Sequence, residues 1–176
     1  LYGDWHKAIE LVDNLGPSIK KGYDTAVNKF SKDLLKIVLF SIATGTPPKG
    51  TGINWEPHSP ITTKKYGEHP IYYLTGTYYR AIGLFKYKDR TLVGLPRSKG
   101  RSSSGGITLG ELARILEYGT GGKGGGKSSG TIPPRPLWNP AINAVGGKDR
   151  LRSMIIKNIR KQLYGFGIRA NQVRWR

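Results

Sequence analysis

Three overlapping strings in one glycine-rich tract have the residue types of phosphate-binding or reactive sites. Gly121-x-x-x-x-Gly126-Lys127-Ser128 matches a P-loop, where backbone N–H groups and a lysine cradle phosphates, and Gly119-x-Gly121-x-x-Gly124 matches a dinucleotide turn. Gly126-x-Ser128-x-Gly130 has the spacing of a nucleophile elbow. All three devices need a strand before the glycines and a helix after them, so that a helix N-terminus or a sharp turn presents the reacting group. Here a helical pattern precedes, and Ser129-Gly130-Thr131-Ile132-Pro133-Pro134 follows. A tract this rich in glycine meets such patterns by composition alone.

The remaining chemistry-bearing residues are sparse. His6, His58 and His69 fall in stretches read as terminus or loop, and no two have a metal-ligand spacing. Asp and Glu number 11 in 176 residues, so paired carboxylates for proton transfer are scarce; Glu10 and Asp13 share a helical face and offset nearby lysines. The absence of Cys excludes disulfides, thiolate nucleophiles and Cys-ligated zinc, and fits a reducing cytoplasm. The reading is a non-enzyme with no catalytic residue, metal or cofactor.

The elements that position these residues follow from apolar spacing. Ile19, Tyr23, Ala26, Val27, Phe30, Leu34, Val38 and Ile42 recur at three- and four-residue steps and predict an amphipathic helix from Pro17 to Ala43, with Pro17 in its first turn. A shorter helix over Trp5–Leu15 precedes it. Residues 44–70 read as an extended arm around Trp55. Strands are predicted over Ile71–Leu74, Tyr78–Tyr87 (Ile82 and Leu84 on one face) and Thr91–Leu95, with Lys88-Asp89-Arg90 as a turn. Thr108 and Glu111 have capping-box spacing for a helix ending at Tyr118, and Gly119 terminates it. Ile132–Trp138 is proline-dense and extended. Asn139-Pro140 then reads as cap and first turn of a last helix that runs to about Leu163, with a break at Gly146-Gly147.

The expected fold is therefore α+β: a small antiparallel sheet packed with a long N-terminal helix and a C-terminal helix, carrying long Gly/Pro-rich arms. The 176 residues read as one domain, with a segment at 1–16, extended loops at 44–70, 96–106 and 119–130, and a basic tail at 164–176. No apolar run approaches the ~20 residues needed to span a bilayer; Leu34–Ala43 is short and carries Lys36, and no secretory leader is expected.

The net charge of +18 has two readings: a nucleic-acid surface, or a basic face for acidic protein partners. Between Lys148 and Arg176 stand nine Lys or Arg and one acid, Asp149, with Tyr164, Phe166 and Trp175 among them. On the nucleic-acid reading, of ribosomal or nucleoid type, Arg169, Arg174, Trp175 and Arg176 make phosphate and stacking contacts. For the helix before the tail, the favoured reading is simple solvation of a charged face.

Two stretches carry a family likeness. Trp55-Glu56-Pro57-His58-Ser59-Pro60-Ile61-Thr62, then Leu74-Thr75-Gly76-Thr77-Tyr78-Tyr79-Arg80-Ala81-Ile82, resembles the W-x-P-L-S-x-x-T and L-x-x-T-G-x-L-x-x-S-I segments of tailed-phage virion-morphogenesis (tail-completion) proteins. Leu116-Glu117-Tyr118-Gly119-Thr120, then Ile132-Pro133-Pro134-Arg135-Pro136-Leu137-Trp138-Asn139-Pro140-Ala141, is similar to that family's Tyr-Gly-Thr and Pro-Ala-Arg-Pro segment. The chain departs at His58, Tyr72 and Tyr78 (Leu in the family), Ala81 (Ser) and Pro134 (Ala).

The resemblance implies a structural subunit at the head–tail junction or tail end, made in the host cytoplasm and built into the virion, commonly as a homo-oligomeric ring. Its implied partners are the connector and the tail terminator or tube, with packaged DNA nearby and no membrane. It marks Trp55, Thr75, Gly76, Tyr118, Gly119, Pro133, Pro134, Arg135, Pro136 and Trp138 as subunit or partner contacts. Arg135, stiffened between prolines, offers a planar fork for a carboxylate such as Glu117; the alternative is an ordinary solvated arginine.

Overall fold

A computed structural model describes residues 5–72, 76–88, 90–95, 107–120 and 132–164, without the side chains of 5–8, 10 and 11. The chain is α+β, in the order α1 (Trp5–Thr44), α2 (Pro60–Tyr66), α3 (Thr77–Ala81), β1 (Gly83–Lys86), β2 (Thr91–Gly94), α4 (Leu109–Tyr118), α5 (Trp138–Ala144) and α6 (Gly147–Tyr164). β1 and β2 form an antiparallel pair with Leu84 opposite Val93 and Phe85 opposite Leu92. Beyond the strands, the Tyr87 N–H donates to the Arg90 carbonyl at 2.8 Å. Among the described residues, no helix is long and apolar enough to cross a membrane.

Contacts divide the chain into two units: Leu1–Phe30 with Gly146–Arg176, and Ser31–Val145. In the first, α1 and α6 meet at a close crossing. A Cβ on Gly22 would stand 2.8 Å from both the N and the Cα of Ile159, so only hydrogen fits between the backbones. Ala26, Phe30, Ile159 and Leu163 are buried there. In the second unit, Leu34, Val38 and Ile42 repeat at every fourth residue of α1, and this stripe is buried, as are Leu109, Leu137, Ala141 and Val145.

Four expectations are corrected. Trp5–Leu15 and Pro17–Ala43 are one helix, with Pro17 inside it. Proline removes the N–H that would bond the Asp13 carbonyl, but Asp13, Gly16 and Pro17 are all exposed, so water can satisfy that carbonyl. The 44–70 arm contains α2: the Ser59 hydroxyl accepts from the Thr62 N–H, Pro60 opens the first turn, and Gly67 ends it.

The strand expected over Ile71–Leu74 is a turn at Ile71 and Tyr72; Tyr73 and Leu74 lie outside the described residues. The first half of the Tyr78–Tyr87 strand is α3. Gly76 adopts a left-handed conformation (φ 67°) at its start, and Tyr78 and Ile82, four residues apart, are both buried. Burial at helical spacing here overrides the β preference of the aromatics. The break at Gly146-Gly147 is present, between α5 and α6.

Candidate functional site

The residues of the two motif stretches converge within Ser31–Val145, and their local order begins with α4. The Thr108 hydroxyl accepts from the Glu111 N–H at 3.2 Å, while a Glu111 carboxylate oxygen accepts from the Thr108 N–H at 2.7 Å, a complete capping box. These bonds hold the Glu111 carboxyl below its ordinary pKa. α4 ends at Gly119, whose φ is 71°; a Cβ there would lie 2.6 Å from the Ile132 carbonyl oxygen. Glycine is required at this point for both reasons.

From Ile132 the chain runs along the end of α4. The Thr120 N–H donates to the Ile132 carbonyl (3.1 Å), the Ile132 N–H to the Thr120 hydroxyl (2.9 Å), and the Arg135 N–H to the Leu116 carbonyl (2.7 Å). Pro133, Pro134 and Pro136 have no N–H to leave unpaired, so an extended segment can lie here without a strand partner.

Arg135 is only 4% exposed. Its Nε donates to the Glu56 carbonyl at 2.9 Å and its Nη2 to the Pro57 carbonyl at 3.0 Å. Burial lowers its pKa from the usual arginine range, with the Tyr72 and Glu56 side chains opposing that shift. The Arg135 carbonyl accepts from the Tyr72 hydroxyl, and the Pro136 carbonyl from Trp55 Nε1 at 3.0 Å. Trp55, Tyr72 and Tyr78 form a ring ladder with centroids 5.1 and 5.4 Å apart. Burial pushes the pKa of both tyrosine hydroxyls up, so they stay protonated.

Two further expectations are corrected here. Arg135 does not pair with Glu117, and it is not a solvated arginine; its fork grips backbone carbonyls of the Trp55 arm. Glu117 instead caps α5: one side-chain oxygen accepts from the Leu137 N–H (2.8 Å), the other from the Trp138 N–H (3.3 Å). The Asn139-Pro140 cap is thereby displaced, because Leu137 stands at the cap position with no side chain able to accept and a buried residue twenty positions earlier supplies the oxygens.

His58 and His69 lie against each other, ring centroids 4.2 Å apart and planes tilted by 51°. Burial first, then His69 and Arg135, lower the His58 pKa. The Nε2 atoms of both rings are buried without a hydrogen-bond partner. Among the described residues, no group of three or more His, Cys, Asp or Glu could hold a metal ion.

Of the residues marked by the resemblance, Trp55, Gly119, Arg135 and Pro136 take part in this clasp and Trp138 opens α5 beneath it; Gly76 is buried at the start of α3. Tyr118 is 72% exposed and Pro134 is exposed, so these two offer surface outward. Thr75 lies outside the described residues, as do Arg169, Arg174, Trp175, Arg176, all of 96–106 and 121–130.

Sequence reasoning missed Tyr72 as the bond to Arg135, the Glu56 and Pro57 carbonyls, and Glu117 as a remote cap. Only Glu117 left a signal: a carboxylate in the last turn of a helix, where a cation is favoured, asks for another partner. The clasp thus joins the Trp55 arm, Tyr72, the end of α4 and the proline segment through hydrogen bonds. No protein-family model matches the chain, and neither does any curated protein or solved structure.

Proposed function

We propose that the chain is a structural subunit of a tailed-phage virion, a tail-completion or neck component that joins the head connector to the tail through ring-type contacts between copies. The observation that carries the reading is the clasp. The two stretches that resemble the virion-morphogenesis family, some 80 residues apart in sequence, are bonded to one another: Trp55 to the Pro136 carbonyl, and Arg135 to the Glu56 and Pro57 carbonyls. A likeness in two separate strings could arise by composition; residues of both strings serving one hydrogen-bonded unit is a stronger support. Tyr118 and Pro134, exposed on that unit, are the surfaces offered to neighbours.

The test is genetic and structural together. Particles assembled without this chain are expected to accumulate as unjoined heads and tails, and the purified chain to form a closed oligomer by light scattering. Full, joined particles made in its absence would overturn the proposal.

A further inference from the structure

The structure separates two faces of α6 that the sequence alone leaves mixed. Leu151, Ile155, Ile159 and Leu163 follow one another every fourth residue; Ile159 and Leu163 are buried and the other two half-buried. On the opposite side of the cylinder, Ser153, Lys157, Arg160, Lys161 and Tyr164 fall at steps of three and four, and all five are exposed. This stripe is about 17 Å long from Ser153 to Tyr164 at 1.5 Å per residue. α6 as a whole carries six cations and one acid, Asp149 in its first turn, and no acid follows in the chain.

We infer that this outward stripe is a binding face for the phosphate backbone of duplex nucleic acid, read without regard to base sequence. The contents of the stripe decide between polyanions. A protein partner gains most from apolar and aromatic anchors buried at the centre of a contact, with charge at the rim. Here the exposed centre is Lys157, Arg160 and Lys161; Met154 and Ile156, which flank it, are half-buried, and the one aromatic, Tyr164, stands at the end. Cations alone suffice for phosphates, since each neutralised phosphate releases condensed counterions. The net charge of +18 supplies long-range attraction toward the same class of ligand. A second copy of this chain carries the same stripe and is repelled by it. The inference does not rest on the neck assignment: it concerns a different unit of the chain, and it stands or fails by DNA binding in vitro.

The experiment is fluorescence anisotropy with a labelled 30-base-pair duplex of arbitrary sequence, titrated with the full chain at several salt concentrations. K157E/R160E/K161E is expected to weaken binding at least tenfold at low salt and to reduce the slope of log Kd against log salt by about 2–3, from 0.9 per phosphate contact. K36E/K64E/K65E makes the same change of net charge on exposed lysines of α1 and α2 and is expected to leave the slope nearly unchanged. The neutral triple K157Q/R160Q/K161Q, checked for native circular dichroism, guards against misfolding of the reversed variant.

Equal losses in the two charge-reversed proteins would overturn the inference, since binding would then follow net charge alone. Loss of all binding on removing 165–176 would also overturn it. So would poly-glutamate competing as well as duplex of equal charge, which would identify an acidic protein as the occupant.

Discussion

The two units of the chain both bury apolar side chains, and they differ in the feature that sets their closest approach. Among the described residues of Leu1–Phe30 with Gly146–Arg176, a close approach stands out: the missing side chain at Gly22 lets two helix backbones touch at Ile159, with Ala26, Phe30 and Leu163 buried. Ser31–Val145 closes by hydrogen bonds between segments far apart in sequence, with Arg135 and Glu117 both buried and both spent on backbone groups. The same residue type is therefore structural in one unit and outward in the other. What decides is the supply of unmet backbone acceptors: the Trp55 arm, without regular structure at Glu56 and Pro57, has carbonyls to be satisfied, whereas the α6 interior satisfies its own.

The sharpest way to break this contrast is to remove one arginine from each side. Arg135→Leu is expected to destabilise the chain by about 3 kcal/mol in urea unfolding, since two carbonyls lose charged donors, while Arg160→Leu changes stability by no more than about 0.5 kcal/mol. Equal effects would erase the distinction. Glu117→Ala, which orphans the Leu137 and Trp138 N–H groups, is expected to lose about 2 kcal/mol by the same measurement.

Gly22→Ala tests the helix crossing of the first unit. Its Cβ must displace the Ile159 backbone, and the net loss is about 1–2 kcal/mol after the gain in helix propensity. Thr108→Ala, removing the α4 cap, is expected to lose about 1 kcal/mol.

The smallest effect is a pH dependence confined to the clasp. The folded His58 pKa lies below the ordinary value near 6.5, so as pH falls through about 6.5 the unfolded chain takes up a proton before the folded one does. The stability it contributes is complete above that pH and declines below it, with a slope of no more than one proton. His58→Gln is expected to flatten that decline; an unchanged slope would show that the buried His58 beside His69 does not govern it.

What was legible in the sequence was whatever neighbours in the chain determine. Thr108 with Glu111, Gly119 after Tyr118, the Thr91 strand and the break at Gly146-Gly147 all depend on residues within one or two turns. What escaped depends on distant groups. Nothing near Asn139 says that Glu117 caps α5, and nothing near Arg135 says that its acceptors are carbonyls 78 and 79 positions away. Pro17 escaped for a different reason: its position suits a first turn equally well, and only the exposure of Asp13 and Gly16 allows a helix to pass through it. For α3, three aromatic or branched residues pointed to a strand, and burial at helical spacing won.

The paired bonds between Thr120 and Ile132 have a practical consequence. They hold Thr120 and Ile132, the residues on either side of the glycine-rich segment 121–131, at a fixed separation. Closing a longer loop costs only about 0.6 kcal/mol for each doubling. An epitope or a small fluorescent domain spliced between those two residues should leave the parent body folded, giving a ready handle for locating the chain inside a large assembly.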